Sequence, residues 1–93
     1  MLIRILLVED LNFVRTSFAL LFEQEQGFYL VGKVESGEEA IRAVECHQPD
    51  IVIMDLFMGE MDGIAATEAI MEAHAKSAYK PKIIIFSIEE RLM

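Results

Sequence analysis

The stretch Ile51-Val52-Ile53-Met54-Asp55 constrains this chain more than any other, because four apolar residues run without alternation straight into a carboxylate. Such a run reads as a strand buried on both faces, although periodicity alone does not separate it from a short buried helix. Pro49 before it and Gly59 and Gly63 after it favour the strand. Ile3 to Val8 and Ile83 to Phe86 have the same character, and Phe28 to Val34 is a further strand interrupted by Gly32. A carboxylate at the C-terminal end of a buried strand lies at the rim of the sheet, where open α/β folds place their ligands.

Helical periodicity fills the intervals. Val14, Phe18, Leu21 and Phe22 fall at i, i+4, i+7 and i+8 and predict a helix from Phe13 to Gln24, capped by Asn12 or Asp10 and ended by Gly27. Phe13 and Leu20 form a second apolar stripe, so this helix should be covered by more than the sheet. Ser36 with Glu39 matches a capping box and starts a helix running to about His47, with Ala40, Ile41 and Val44 inward. Asp62 is placed to cap a third helix from about Gly63 to Ala75, burying Ile64, Ile70, Met71 and Ala75. Ser87-Ile88-Glu89-Glu90 repeats the Ser-x-x-Glu helix start. Strands alternating with helices predict a single α/β domain over residues 1–93, a doubly wound parallel sheet with right-handed crossovers.

Charge and apolar patterning exclude several classes of function. Sixteen acids against eight bases give a net charge of -8, which opposes nonspecific contact with nucleic acid or anionic membranes and suits cation binding. The longest apolar run, Phe18 to Phe22, is far short of the ~20 residues a spanning helix needs. Met1 to Asp10 lacks the pattern of a signal peptide, and with Cys46 as the one cysteine an internal disulfide is impossible. A reducing cytoplasm is the expected compartment.

Glu9, Asp10 and Asp55 end two strands that a doubly wound sheet places side by side. Close carboxylates repel by a few kcal/mol per pair at an effective dielectric of about 20, so either their pKa values rise or a cation sits among them. Oxygen ligands without His or Cys point to Mg²⁺. The alternative is that Glu9 and Asp10 are a solvated strand end and helix cap, and Asp55 a turn residue. His47 and His74 read as ordinary helix-surface residues, and Met58, Met61 and Ile64 as packing residues.

The set Glu9-Asp10, Asp55-Leu56-Phe57-Met58-x-x-Met61-Asp62-Gly63 and Ser87 resembles the receiver domain of two-component response regulators over nearly the whole chain. Val31 to Ala40 looks closest to receivers that precede a helix-turn-helix DNA-binding domain. The resemblance implies a flavodoxin-like fold with strand order 2-1-3-4. It implies that Asp55 accepts a phosphoryl group from a histidine kinase or phosphotransfer protein. Asp10, Asp55 and the backbone carbonyl of Phe57 would hold Mg²⁺, with Glu9 acting through water, and Ser87 would contact the phosphoryl group and act as the switch. Such a domain is an enzyme only in promoting its own phosphorylation and dephosphorylation.

Departures from the family temper that expectation. Gly59 stands where receivers generally carry proline, and the chain stops before the family's fifth strand, fifth helix and phosphate-contacting lysine. Lys76, Lys80 and Lys82 lie toward the opposite rim. A truncated receiver would leave Ile83 to Phe86 as an open apolar edge, which favours a homo-oligomer. A degenerate receiver that serves only as an interaction module is the competing reading. A haloacid dehalogenase-type phosphohydrolase would need Asp where Phe57 stands, and in a flavodoxin-like electron carrier Glu9-Asp10 would repel the phosphate.

Overall fold

The computed structural model describes residues 1–87. Seven elements follow in order: β1 (Ile3–Val8), α1 (Asn12–Gln24), β2 (Phe28–Val34), α2 (Gly37–His47), β3 (Ile51–Asp55), α3 (Gly63–Ala73) and β4 (Lys82–Phe86). The four strands form one parallel sheet in the order β2-β1-β3-β4. That is the topology and order expected from the sequence. The helix start at Ser87-Ile88-Glu89-Glu90 lies outside the described residues.

Alternation along the strands divides the core into two layers. Leu6, Val8, Val52 and Met54 face α2 and α3, packing with Ala40, Val44, Ala66 and Ile70. Each of the large aliphatic side chains buried there contributes about 1.5–3 kcal/mol relative to exposure. The opposite face receives α1, with Phe18 edge-on to Phe86 at 5.2 Å and Phe22 edge-on to Phe28 at 5.8 Å. Between Ile5 and Leu6 the register with β2 slips by one residue, Ile5 facing Leu30 and Leu6 facing Gly32, so Val31 is the extra residue of a bulge. This is the physical content of the interruption at Gly32.

The capping expectations divide. Ser36 Oγ accepts from Glu39 N–H at 3.1 Å and Asp62 Oδ1 from Ala65 N–H at 2.8 Å, as the sequence predicts. At α1 neither Asn12 nor Asp10 caps: Leu11 occupies the N-cap without a side-chain bond. Asn12 Oδ1 instead accepts from Arg15 Nη2 at 2.8 Å, and the Leu11 N–H donates to Glu9 Oε2 at 2.9 Å.

Two packing expectations are corrected. In α3 the buried positions are Gly63, Ala66 and Ile70, whereas Ile64 and Met71 are exposed. A helix apolar nearly all round offers no single stripe to read, and the small residues win the face that approaches α2 closely. Ala75, also exposed, lies beyond the end of the helix at Ala73. In α1 Ala19 is buried and Val14, Phe18 and Phe22 are half-buried, but Leu21 joins Phe13 and Leu20 in being exposed. Among the described residues nothing covers that second stripe. Among the described residues β4 is an outer strand, with Ile84 51% and Ile85 39% exposed.

Candidate functional site

Strand register brings the site together. Val8 pairs with Met54 and Asp55 with Phe86, so the residues after β1, at the end of β3 and after β4 share one rim. Glu9 and Asp10 follow β1, Asp55 ends β3, and the exposed Ser87 follows β4. Carboxylate oxygens of Glu9, Asp10 and Asp55 lie within 4.8 Å of one another. Glu9 is completely buried and Asp55 is 5% exposed, while Asp10 faces solvent. The solvated-strand-end alternative therefore fails for Glu9.

Burial raises the Glu9 carboxyl from 4.5 to about 7, opposed by the Leu11 N–H and reinforced by the Asp10 and Asp55 carboxylates. Burial also raises Asp55, against the lowering influence of Glu9 and of the Phe57 and Leu56 N–H groups, while Asp10 pushes it further up. One oxygen of Glu9, Oε1, is buried with no hydrogen-bond partner. A buried carboxylate oxygen without a donor is unfavourable unless a proton or a cation reaches it. An all-oxygen donor set crowded at this distance fits a hard divalent cation, so Glu9, Asp10 and Asp55 could hold a metal ion.

The loop after Asp55 is built around two glycines. Asp55 Oδ1 accepts from Phe57 N–H at 3.3 Å, Leu56 N–H donates to Phe86 carbonyl oxygen at 2.7 Å, and Gly63 N–H donates to Leu56 carbonyl oxygen at 2.8 Å. A Cβ at Gly63 would collide with the Asp55 carbonyl oxygen and lie 3.0 Å from Leu56 Cα. Gly59, standing where receivers generally carry proline, has φ +38°, a conformation closed to proline. Met58 is buried and Met61 packs against the core, as their reading as packing residues requires, whereas Phe57 is 66% exposed beside the site.

Arg15 is a residue that sequence reasoning passed over. From the first turn of α1 its Nη1 donates to the Glu9 carbonyl oxygen at 2.8 Å, and its Nη2 lies 3.3 Å from Glu35 Oε1. A cation near a helix N-terminus opposes the helix dipole, and that conflict was the available signal. The lysines lie elsewhere: Lys80 Nζ donates to the His74 and Ala75 carbonyl oxygens after α3, and Lys82 begins β4 beside Ile51. His47 is exposed, and His74 is half-buried, edge-on to Tyr79 at 5.2 Å.

No helix among the described residues is long and apolar enough to cross a membrane. Comparison with known proteins agrees with the geometry. The response regulator receiver domain family matches residues 5–93. The transcriptional regulatory protein LiaR of Bacillus subtilis is 35% identical over 86 residues, 92% of this chain and 39% of its own length. A LuxR-family two-component response regulator from Aurantimonas superposes with a TM-score of 0.85 at 32% identity, covering 97% of this chain and 61% of that one. The receiver domain of the histidine kinase CKI1 from Arabidopsis thaliana, solved with Mg²⁺, superposes with a TM-score of 0.76 at 28% identity, covering 94% and 68%. The chain thus spans well under two thirds of the length of curated relatives such as LiaR. The acidic rim, the strand order and these likenesses converge, and the chain belongs to the response regulator receiver domain family.

Proposed function

We propose that this chain is a phosphoacceptor signalling domain in which Asp55 receives a phosphoryl group from a phosphohistidine on a sensor kinase or phosphotransfer protein. The observation that carries this reading is the buried, unpartnered Glu9 Oε1 within a three-carboxylate cluster that includes Asp55. An Asp55 oxygen attacks phosphorus, an O–P bond forms as the P–N bond breaks, and the departing imidazole takes a proton from solvent. Asp10, Asp55 and the Phe57 carbonyl are the ligands we assign to Mg²⁺, with Glu9 acting through water. Bound there, Mg²⁺ neutralises charge on the transferring group, which is most of what phosphoryl transfer asks of its surroundings. The Phe57 N–H on Asp55 Oδ1 orients the carboxylate. Ser87, at the same rim, is the group we assign to contact the phosphorylated product and draw the end of β4 inward.

The test uses a small phosphodonor. Incubation with phosphoramidate and Mg²⁺ should give a phosphate adduct by intact mass spectrometry that is absent from Asp55→Asn and from a chelated sample. A folded wild-type chain that forms no adduct overturns the reading. The exposed Ile84 and Ile85 on outer strand β4 favour a second reading, a self-associating interaction module without phosphotransfer. Sedimentation at micromolar concentration decides it, since a monodisperse monomer excludes self-association through that edge. We also propose residence in the cytoplasm and, by likeness to the transcriptional regulatory protein LiaR, a part in transcriptional regulation.

A further inference from the structure

We propose that Arg15 is a positioning residue for the acidic centre, its guanidinium holding the main chain of Glu9 and Asp10 so that their carboxylates meet Asp55 in an arrangement a divalent cation can use. The inference rests on the metal reading above. An arginine in the first turn of a helix in an acidic chain is expected to lie out in solvent, away from the positive end of the helix dipole. Here the side chain is only 13% exposed. Nη1 donates to the Glu9 carbonyl oxygen at 2.8 Å and, more weakly, to the Asp10 carbonyl oxygen at 3.5 Å. Nη2 donates to Asn12 Oδ1 at 2.8 Å and pairs with Glu35 Oε1 at 3.3 Å. All four acceptors belong to segments flanking the cluster: the β1–α1 turn, the start of α1 and the segment after β2.

The three carboxylates are not held alike. Asp55 ends a central strand and is fixed by its pairing with Phe86. Glu9 and Asp10 sit in a turn, so mutual repulsion acts mainly to push that turn outward. Glu9 N–H is anchored to the Val34 carbonyl oxygen at 3.0 Å. Arg15 secures the next two peptide units through the Glu9 and Asp10 carbonyl oxygens, and its rigid planar fork fixes the directions of its acceptors, where a lysine ammonium on a flexible stem leaves them loose. Groups that orient metal ligands from outside commonly change metal affinity by about 10–100-fold when removed.

Titration calorimetry with MgCl₂ tests this on the full chain, at a temperature where circular dichroism shows each variant folded. Arg15→Ala should bind Mg²⁺ at least ~10-fold more weakly than wild type. Arg15→Lys, which keeps the charge and stem but not the fork, should fall between them and decides the matter alone if Arg15→Ala does not fold. A purely structural role would lower the melting temperature in EDTA and leave the affinity of the folded protein unchanged. Wild-type affinity in every folded variant overturns the inference while leaving the metal reading intact. A wild-type chain that takes up no Mg²⁺ overturns the metal reading and this inference with it.

Discussion

The two rims of the sheet treat polar groups in opposite ways. At the N-terminal rim they meet partners: Arg4 N–H donates to Asp50 Oδ2 at 2.8 Å, Arg4 Nη1 to the Gln48 carbonyl oxygen at 2.7 Å, and Tyr79 Oη to the Pro49 carbonyl oxygen at 2.6 Å. Asp50 N–H and carbonyl oxygen continue the ladder to Arg4 and Lys82. At the C-terminal rim three acids crowd together and a buried carboxylate oxygen has no donor. One rim is satisfied by the fold itself. The other becomes satisfied only when something is added, which is how a ligand site differs from a structural clasp.

The sharpest way to break the functional rim is to deny it close packing. Gly63→Val places a branched side chain against the Asp55 carbonyl oxygen and Leu56, where the obstacle is backbone rather than a movable side chain. It should destabilise the domain by about 3 kcal/mol, read by urea denaturation.

Proton and metal dependence come next. The folded-state pKa of Glu9, about 7, lies above its ordinary 4.5, so between those values the native state holds a proton that the unfolded chain has lost. That stabilisation is complete below 4.5 and is lost as the pH rises through about 7; the raised Asp55 acts in the same direction. In EDTA the melting temperature should therefore fall between pH 5 and pH 8, by about 10–20 °C. Mg²⁺ added at pH 8 should restore it. A flat profile in EDTA would place both rims in the same class. Glu9→Gln removes the buried charge at nearly constant volume and should raise apo stability at pH 8 by about 1–2 kcal/mol, while abolishing most of the restoration by Mg²⁺.

Much of this contrast is legible in the amino-acid order. Unbroken apolar runs mark β1 and β3, the central strands covered on both faces, and also β4, although Ile84 and Ile85 there are exposed, and the acids that follow β1 and end β3 mark the functional rim. Ser36 and Asp62 are visible as caps because their type and spacing are themselves the mechanism. Arg15 and Tyr79 escape notice for the opposite reason. Each acts on backbone carbonyl oxygens, Glu9 for one and Pro49 for the other, and a carbonyl looks the same at every residue. The same limit applies to α3, where Ala66 rather than Ile64 is buried because the approach of α2 is decided by side-chain size in three dimensions.

The smallest effect belongs to the satisfied rim and has the opposite sign from Glu9→Gln. Burial pushes the Tyr79 phenol up to about 12, with the Asp50 charge adding to the shift and Arg4 opposing it, so the hydroxyl stays protonated and donating throughout the physiological range. Tyr79→Phe keeps the ring against His74 and the core but removes the donor from the Pro49 carbonyl oxygen. An intramolecular hydrogen bond is worth about 1 kcal/mol net, so the variant should lose about that much stability in urea denaturation. At pH 8 the loss should be the same with and without Mg²⁺, because this hydrogen bond lies at the rim opposite the acids. A loss that varied with Mg²⁺ would mean that the two rims are coupled through β3. An unchanged loss leaves the N-terminal clasp as a fixed base against which the C-terminal rim is free to change state.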